Sequence, residues 1–488
     1  MPDGREPLIA RTLTSIRDLA AAGWDALAGT GDPFVGHAFL AALEESGSAT
    51  AETGWAPAHV VIEDSSGRPC AAAPLYLKSH SYGEYVFDHA WADAYARAGG
   101  RYYPKLLSAV PFTPATGPRL LVPPVLARER ADELRRALAG AMVRIAERSG
   151  VSSLHVNFPA EADARALEAA GYLPRLGVQY HWTNRGYRGF DDFLAQLASR
   201  KRKAIRKERA AVRDAGVAIA VVTGSDLREA HWDAFYAFYR DTASRKWGGG
   251  YLTREFFSRL GESMAERVVL VLAEHGGRPV AGALNLLGGD TLYGRHWGCV
   301  ADFRFLHFEA CYYQAIEFAI ARGLARVEAG AQGEHKIQRG YLPEPTRSYH
   351  WIANSSFRDL LERHLFNERA TVAAEIAERS LAATRDARAA LSLATGAAEE
   401  RLRASIEATT RAIEAQAAAE RARQLARERR TASNDLDIAE REAQAARLSD
   451  PSQRRAAELA IEREKRMQSM RERLGGVDSQ ILEAQDSA

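Results

Sequence analysis

Between residues 34 and 370, short runs of strand-like apolar spacing alternate with longer runs of helical spacing, and the chain passes through this alternation twice. Residues 34–46 carry apolar side chains three and four apart, which predicts a helix. Strands are expected at 58–63 and 70–78, joined through Ser65, Ser66 and Gly67, with a third near Tyr85. A long proline-bearing loop then runs to Pro118. A helix over 126–148, a buried-type strand at 154–158 and a short helix ending near Tyr172 complete the first round. The second round contains a strand at 217–222, a helix at 228–245 and strands at 268–274, 280–287 and 291–298. A helix at 307–322 and a strand beginning at Arg326 close it. Two copies of one α/β (α+β) plan describe this pattern most economically.

Composition changes the picture beyond residue 370. Every Phe, Tyr and Trp lies at or before Phe366, and the rest is rich in Ala, Arg, Glu and Gln. Such residues favour long helices. Met467, Met470, Leu474, Val477 and Ile481 recur at steps of three and four, which suits a coiled-coil seam and self-association, although Gly475 and Gly476 interrupt it. The expected division is therefore 1–180, 181–370 and a helical tail at 371–488.

The chain has 488 residues, enough for two or three cores, and a formal net charge of +2 that argues against an obligate nucleic-acid coat protein. Cys70, Cys299 and Cys311 form an odd, widely spaced set with no metal-type pairing, so neither a disulfide framework nor a zinc site is indicated. Residues 1–7 lack an apolar signal-type stretch, and no run approaches the ~20 apolar residues of a membrane span. A cytoplasmic location is the expectation.

Residues 328–341 are the densest in candidate chemistry. Glu328, Gln332, Glu334, His335, Lys336 and Arg339 stand among Ala and Gly, residues that add no core volume and admit a close ligand. They predict the floor of a polar site on a strand, with a solvated surface strand as the alternative. A second concentration is the basic run Arg200, Lys201, Arg202, Lys203, Arg206 and Lys207. Leu194, Leu197, Ile205 and Val212 give it an apolar stripe at helical spacing, so its outer face is cationic and suits a polyanion such as tRNA or, equally, simple solvation.

Helices, an antiparallel meander, a helix and a further strand are similar to the GNAT acyltransferase plan. Two such units in tandem resemble the Fem-type peptidyl transferases. The strings at 100–105, 111–119, 306–314 and 328–343 resemble the motifs of a bacterial family of predicted N-acyltransferases, Fem/GNAT-like, of peptidoglycan biosynthesis/recognition type. The resemblance spans roughly 30–370 and implies tandem GNAT-like domains, with transfer of an acyl or aminoacyl group to an amine-bearing acceptor. It leaves the donor open between aminoacyl-tRNA and acyl-CoA. Coenzyme A enzymes of this fold hold pyrophosphate on a glycine-rich loop before a helix. Here that stretch, 298–307, carries Phe305 and Leu306 instead, and Ala115 to Pro118 matches no better.

Acyl transfer needs a base to neutralise an amine of pKa ~10 and a donor to stabilise the carbonyl oxygen. His335 and Glu309 are the candidate bases, the latter equally explained as a helix-dipole acid. Arg304, Lys336, Arg339 and the helix start at His307 are candidate oxyanion or substrate contacts, and His296 or Trp297 can line the same cleft. Cys311, one turn after His307, offers a covalent route, with a buried apolar role as the alternative.

Overall fold

The computed structural model describes residues 8–247, 249–330 and 333–391, together with scattered helical positions between 400 and 461. Among the described residues the strands are β1 (Ile9–Leu13), β2 (Trp55–Pro57), β3 (His59–Glu63), β4 (Pro69–Ala73), β5 (Tyr76–Lys78), β6 (Lys105–Ser108) and β7 (Ser153–Asn157). They continue as β8 (Leu173–Thr183), β9 (Val217–Thr223), β10 (Val268–His275), β11 (Arg278–Leu287), β12 (Thr291–Cys299), β13 (Arg326–Glu328) and β14 (Leu342–Ile352). A three-stranded sheet has the order β1-β3-β4, and an eleven-stranded sheet has the order β2-β5-β6-β7-β14-β8-β13-β12-β11-β10-β9.

The second round of elements folds as its pattern predicts. β9 to β12 form an antiparallel meander, the chain crosses through a helix, and β13 returns parallel to β12. The first round follows the same logic, with β2, β5 and β6 antiparallel and β7 parallel to β6 after helix Arg128–Ser149. That helix ends at Gly150, whose left-handed φ of 60° suits a residue without Cβ. The halves then exchange strands. β8 carries the chain across residue 180 to pair with β13, whereas β14, from the end of the second half, pairs with β7 and β8. Helix Ser355–Leu391 runs across residue 370.

Several expectations are corrected. The strand at 70–78 is two strands in different sheets, divided at Pro74 and Leu75; proline brings no N–H to a ladder. No strand forms near Tyr85, whose φ is 57°, and the third strand of the first meander is β6, inside the stretch read as loop. The helix expected at 307–322 forms as one helical run from Leu306 to Ala321, with a π turn over Glu309–Tyr313 that the pattern did not show. The strand from Arg326 stops at Glu328, and the Gly-rich stretch leads to a 3-10 helix, Glu334–Arg339. Helices His89–Arg97 and Arg254–Met264 and strands β8 and β14 had no counterpart in the pattern.

The basic run forms helix Ser199–Asp214 with Ile205 and Val212 buried. The seam at 467–481 lies outside the described residues. All three cysteines are free, and no described helix is long and apolar enough to cross a membrane.

Candidate active site

β12 and β13 are parallel and paired for only three positions, Thr291↔Arg326, Leu292↔Val327 and Tyr293↔Glu328. Beyond them β12 continues to Cys299, while the other chain turns off through Gly330, whose φ is 78°. At the parting a Cβ on Gly294 would lie 3.3 Å from the Glu328 carbonyl, so glycine lets the two backbones approach. The pairing of β12 with β11 steps from Asn285↔Gly294 to Leu284↔His296, which makes Arg295 the extra residue of a bulge. A bulge bends its strand and re-aims the local side chains.

Glu328 therefore ends a strand at the opening between two others. Its carboxyl is buried, with Oε2 3.8 Å from His181 Nε2 and Oε1 3.8 Å from Arg326 Nη1. Oε2 has no hydrogen-bond partner. Burial pushes this carboxyl up to about 8, against the pull of Arg326 and Arg295 and with a push from Asp32. Burial drives His181 down to about 3, helped by the cations Arg326 and Lys336. At neutral pH the imidazole is uncharged and the carboxyl largely protonated, so their contact is not an ion pair.

Lys336 is also buried. Its Nζ donates to the Gly330 carbonyl at 2.9 Å, and burial lowers it to about 8. Arg295, lowered by burial to about 10, donates to the Phe112 carbonyl at 2.5 Å. Gln179, beside His181 on β8, donates to the Pro114 carbonyl at 2.8 Å. The loop 111–119 of the first half thus supplies carbonyls that hold Arg295 of the second half and Gln179 on the strand that crosses between them. A proton acceptor near the working pH and a buried ammonium are the two groups acyl transfer to an amine requires.

The structure gathers some predicted residues here and moves others away. Glu328 is buried at the parting, and Lys336 is buried on the 3-10 helix that follows, held to the Gly330 carbonyl. Trp297 and His296, on β12 past the bulge, meet His307 and Tyr239 respectively, each with ring centroids 5.3 Å apart. His335 is exposed; its Nε2 is 2.9 Å from Tyr312 Oη and its ring lies 6.3 Å from that of His307. Burial lowers its pKa, with Arg339 and Lys336 adding to the effect. Arg339 is taken by Glu208, at 3.0 Å to both oxygens, and lies 3.4 Å over the Phe308 ring. Glu309 is buried and held by Arg209 at 2.9 and 3.1 Å and by Gln314 at 2.8 Å. Arg304 is exposed over the Phe305 ring, and Cys311 is half-buried. Gln332 and the side chain of Glu334 lie outside the described residues.

In the basic helix Arg200, Lys203, Arg206 and Lys207 are exposed. Lys201 donates to the Ile337 carbonyl at 3.4 Å and Arg202 to that of Leu197 at 3.3 Å. Sequence reasoning missed His181, Gln179 and Arg295. Arg295 directly precedes the two β12 residues that were singled out, and only the bulge distinguishes it. His181 lies on a strand with no apolar alternation to reveal it.

A family model for FemAB-like proteins, described as peptidoglycan biosynthesis/recognition, matches residues 15–384. No curated protein matches the chain. Among solved structures the chain is similar to FemX, with 13% identity over 70% of this chain and 98% of that one and a TM-score of 0.45. It is similar to L-PGS from Bacillus licheniformis at 11% identity, covering 66% and 92%, with a TM-score of 0.40. A tandem GNAT protein from the clavulanic acid biosynthesis pathway shares 13% identity over 71% and 99%, with a TM-score of 0.37. With the model matching most of its length, the chain belongs to the FemAB-like family.

Proposed function

We propose that this protein is an N-acyltransferase that moves an acyl or aminoacyl group onto the primary amine of a peptidoglycan-type acceptor, at the parting of β12 and β13. The observation that carries the reading is the buried carboxyl of Glu328, with one oxygen lacking a partner; the Lys336 ammonium is held on the carbonyl of Gly330, two residues further along the chain. Glu328 takes the proton from the acceptor ammonium, and the freed amine attacks the donor carbonyl. As the N–C bond forms, negative charge gathers on the carbonyl oxygen, where the Lys336 ammonium stabilises it. Collapse breaks the bond to the donor's leaving oxygen or sulfur, which takes the proton held by Glu328; the freed carboxylate then accepts the second proton of the new N–C linkage and releases it to solvent, leaving the neutral amide. His181 stays neutral beside the carboxyl, its Nε2 paired with Gln179 Oε1 at 3.3 Å, while Arg295 and Gln179 tie the first half's loop to the site.

His335 has a different place in this reading. It is exposed and hydrogen-bonded to Tyr312, so it lines the approach to the site rather than serving as its base. Glu309, already matched by Arg209 and Gln314, holds the basic helix against the helix after β12. An aminoacyl ester suits the donor side better than coenzyme A. The helix entry carries Phe305, with φ of 68°, where close-approach glycines would be needed, and an exposed cationic face lies on Ser199–Asp214.

The test is turnover of an amine acceptor with charged tRNA and with acyl-CoA, by the native chain and by Glu328→Gln. The substitution keeps shape and removes the base. Undiminished turnover of Glu328→Gln would sink the assignment.

A further inference from the structure

The first half holds ionisable groups that the proposed reaction does not use. β5 and β6 pair so that Lys78 and Lys105 stand directly opposite one another, and both are fully buried. Like charges facing each other across a sheet repel, and a buried ammonium must be compensated. Adjacent antiparallel strands are usually joined by about two to five residues. Here residues 79–104 intervene, a connection that includes helix His89–Arg97 and leaves residues 79–88 as an irregular segment before it.

The first part of this connection, residues 79–88, has neither helix nor strand and lies over the lysines. Lys105 Nζ donates to Glu84 Oε2 and Ser81 Oγ, each at 2.8 Å, and to Asp88 Oδ2. Asp88 also accepts from Tyr102 Oη at 2.7 Å, which anchors the end of the segment before helix His89–Arg97. Lys78 is served poorly. Its Nζ is 4.0 Å from Glu84 Oε1, reaches the Tyr82 carbonyl only at 3.4 Å, and rests 3.6 Å over the Trp55 ring.

The closed arrangement is incompletely matched on both sides. Glu84 Oε1 and Asp88 Oδ1 are buried without a hydrogen-bond partner, as is the neighbouring Asn157 Oδ1. Burial lowers Lys78 to about 7 and raises Glu84 to about 7, which marks charges whose contacts do not offset their desolvation. A half-satisfied buried network gains most from a better partner. Outside the lysines the segment is held by single hydrogen bonds, from Phe112 N–H to the Gly83 carbonyl at 3.2 Å, from Asn157 to the Glu84 carbonyl at 3.4 Å, from Arg175 to the Phe87 carbonyl at 2.7 Å and between Ser81 and Tyr103 at 2.7 Å, while Tyr82 and Phe87 are 62% and 61% exposed.

We propose that residues 79–88 are a strap over a second binding site, that its ligand is an oxyanion held by Lys78 and Lys105, and that Glu84 is the internal stand-in the ligand displaces. Asp88 stays with Tyr102 as the hinge. A ligand oxyanion gives Lys78 the close acceptor that Glu84 does not. Opening without an anion strands a buried cation, so strap opening and anion binding are linked. Phosphate and carboxylate share the required chemistry.

The test is amide hydrogen exchange of the full chain, titrated with sodium phosphate in one arm and sodium acetate in the other, at ionic strength fixed with sodium chloride. A saturable rise in exchange confined to residues 79–88 supports the site, and the arm that produces it assigns the anion. Glu84→Gln should raise ligand-free exchange there and tighten the midpoint by about tenfold, as expected when one charged competing contact is weakened. Lys78→Met should leave exchange elsewhere unchanged and abolish the response. No saturable change in either arm, a response that survives Lys78→Met, or a rise spread over the whole chain overturns the proposal.

Discussion

The two halves place a parallel strand pair at the same point in their plans and finish it differently. In the first, β6 and β7 run together from Leu106↔Leu154 to Ser108↔Val156, and the chains meet again at the Gly117–Pro159 bridge. Arg119 fills the space between. Its guanidinium donates to the carbonyls of Asn157 at 3.0 Å, Pro118 at 3.1 Å and Ala115 at 2.7 Å. In the second half, β12 and β13 part after Tyr293 and Glu328; the buried Lys336 meets a single carbonyl on the turn-off, that of Gly330, and Glu328 Oε2 is left without a hydrogen-bond partner. One geometry serves as a joint where an internal cation satisfies its carbonyls and, under the proposed function, as a reactive place where a carboxyl oxygen stays unmatched.

The comparison is broken most directly at Glu328. Glu328→Gln should lower turnover by about 10²- to 10⁴-fold, the range for loss of a general base, with the thermal midpoint kept or raised. A loss below tenfold would return this half to a structural role. Removing the plug tests the other half. Arg119→Ala takes a donor from three carbonyls and removes the buried cation that faces Asp32 and Asp163, and should cost about 3–5 kcal/mol in chemical denaturation. Less than about 1 kcal/mol would show that the first parting does not depend on its arginine. Glu309→Gln weakens the pairing with Arg209 and should cost about 1–3 kcal/mol of stability with turnover nearly unchanged. A turnover loss as large as that of Glu328→Gln would move the base to Glu309.

Two pH measurements sharpen the contrast. Because Glu328 must be ionised and Lys336 protonated, and both titrate at about 8, turnover should rise and then fall around that pH. A rate that climbs steadily past pH 10 would remove Lys336 from the mechanism. For stability, the native Glu328 keeps a proton that the unfolded chain has lost between its ordinary 4.5 and about 8. Its contribution is therefore present below 4.5 and is lost as pH rises through 8, with a slope reaching about 1.4 kcal/mol per pH unit. Glu328→Gln should remove that slope in denaturation curves taken across the window.

Glu328 and Lys336 stood out in the sequence as polar-site contacts, because ionisable groups among Ala and Gly have few other uses, whereas the bases expected there were His335 and Glu309. The second half's meander was legible too, since β10 and β11 are apolar on both sides of their pleat. β8 and β14 hid for the opposite reason. They pair at the centre of the sheet and bury Gln179, His181, Ser348 and His350, so neither shows the apolar run of a buried strand. The short β6 was lost among aromatic and proline residues whose spacing suggested a loop. His181 and Arg295 could not be found locally, because one is brought to Glu328 by strand pairing and the other by a bulge.

The exchange of strands also sets an order of events at synthesis. His155 on β7 and His350 on β14 meet across 195 positions of chain, so the first half lacks a neighbour for β7 until almost all of the second has been made. At about 5–20 residues per second the nascent first half waits roughly 10–40 s with that edge unpaired. The same interval is when a foreign strand, or a second nascent copy, can take the place that β14 will fill.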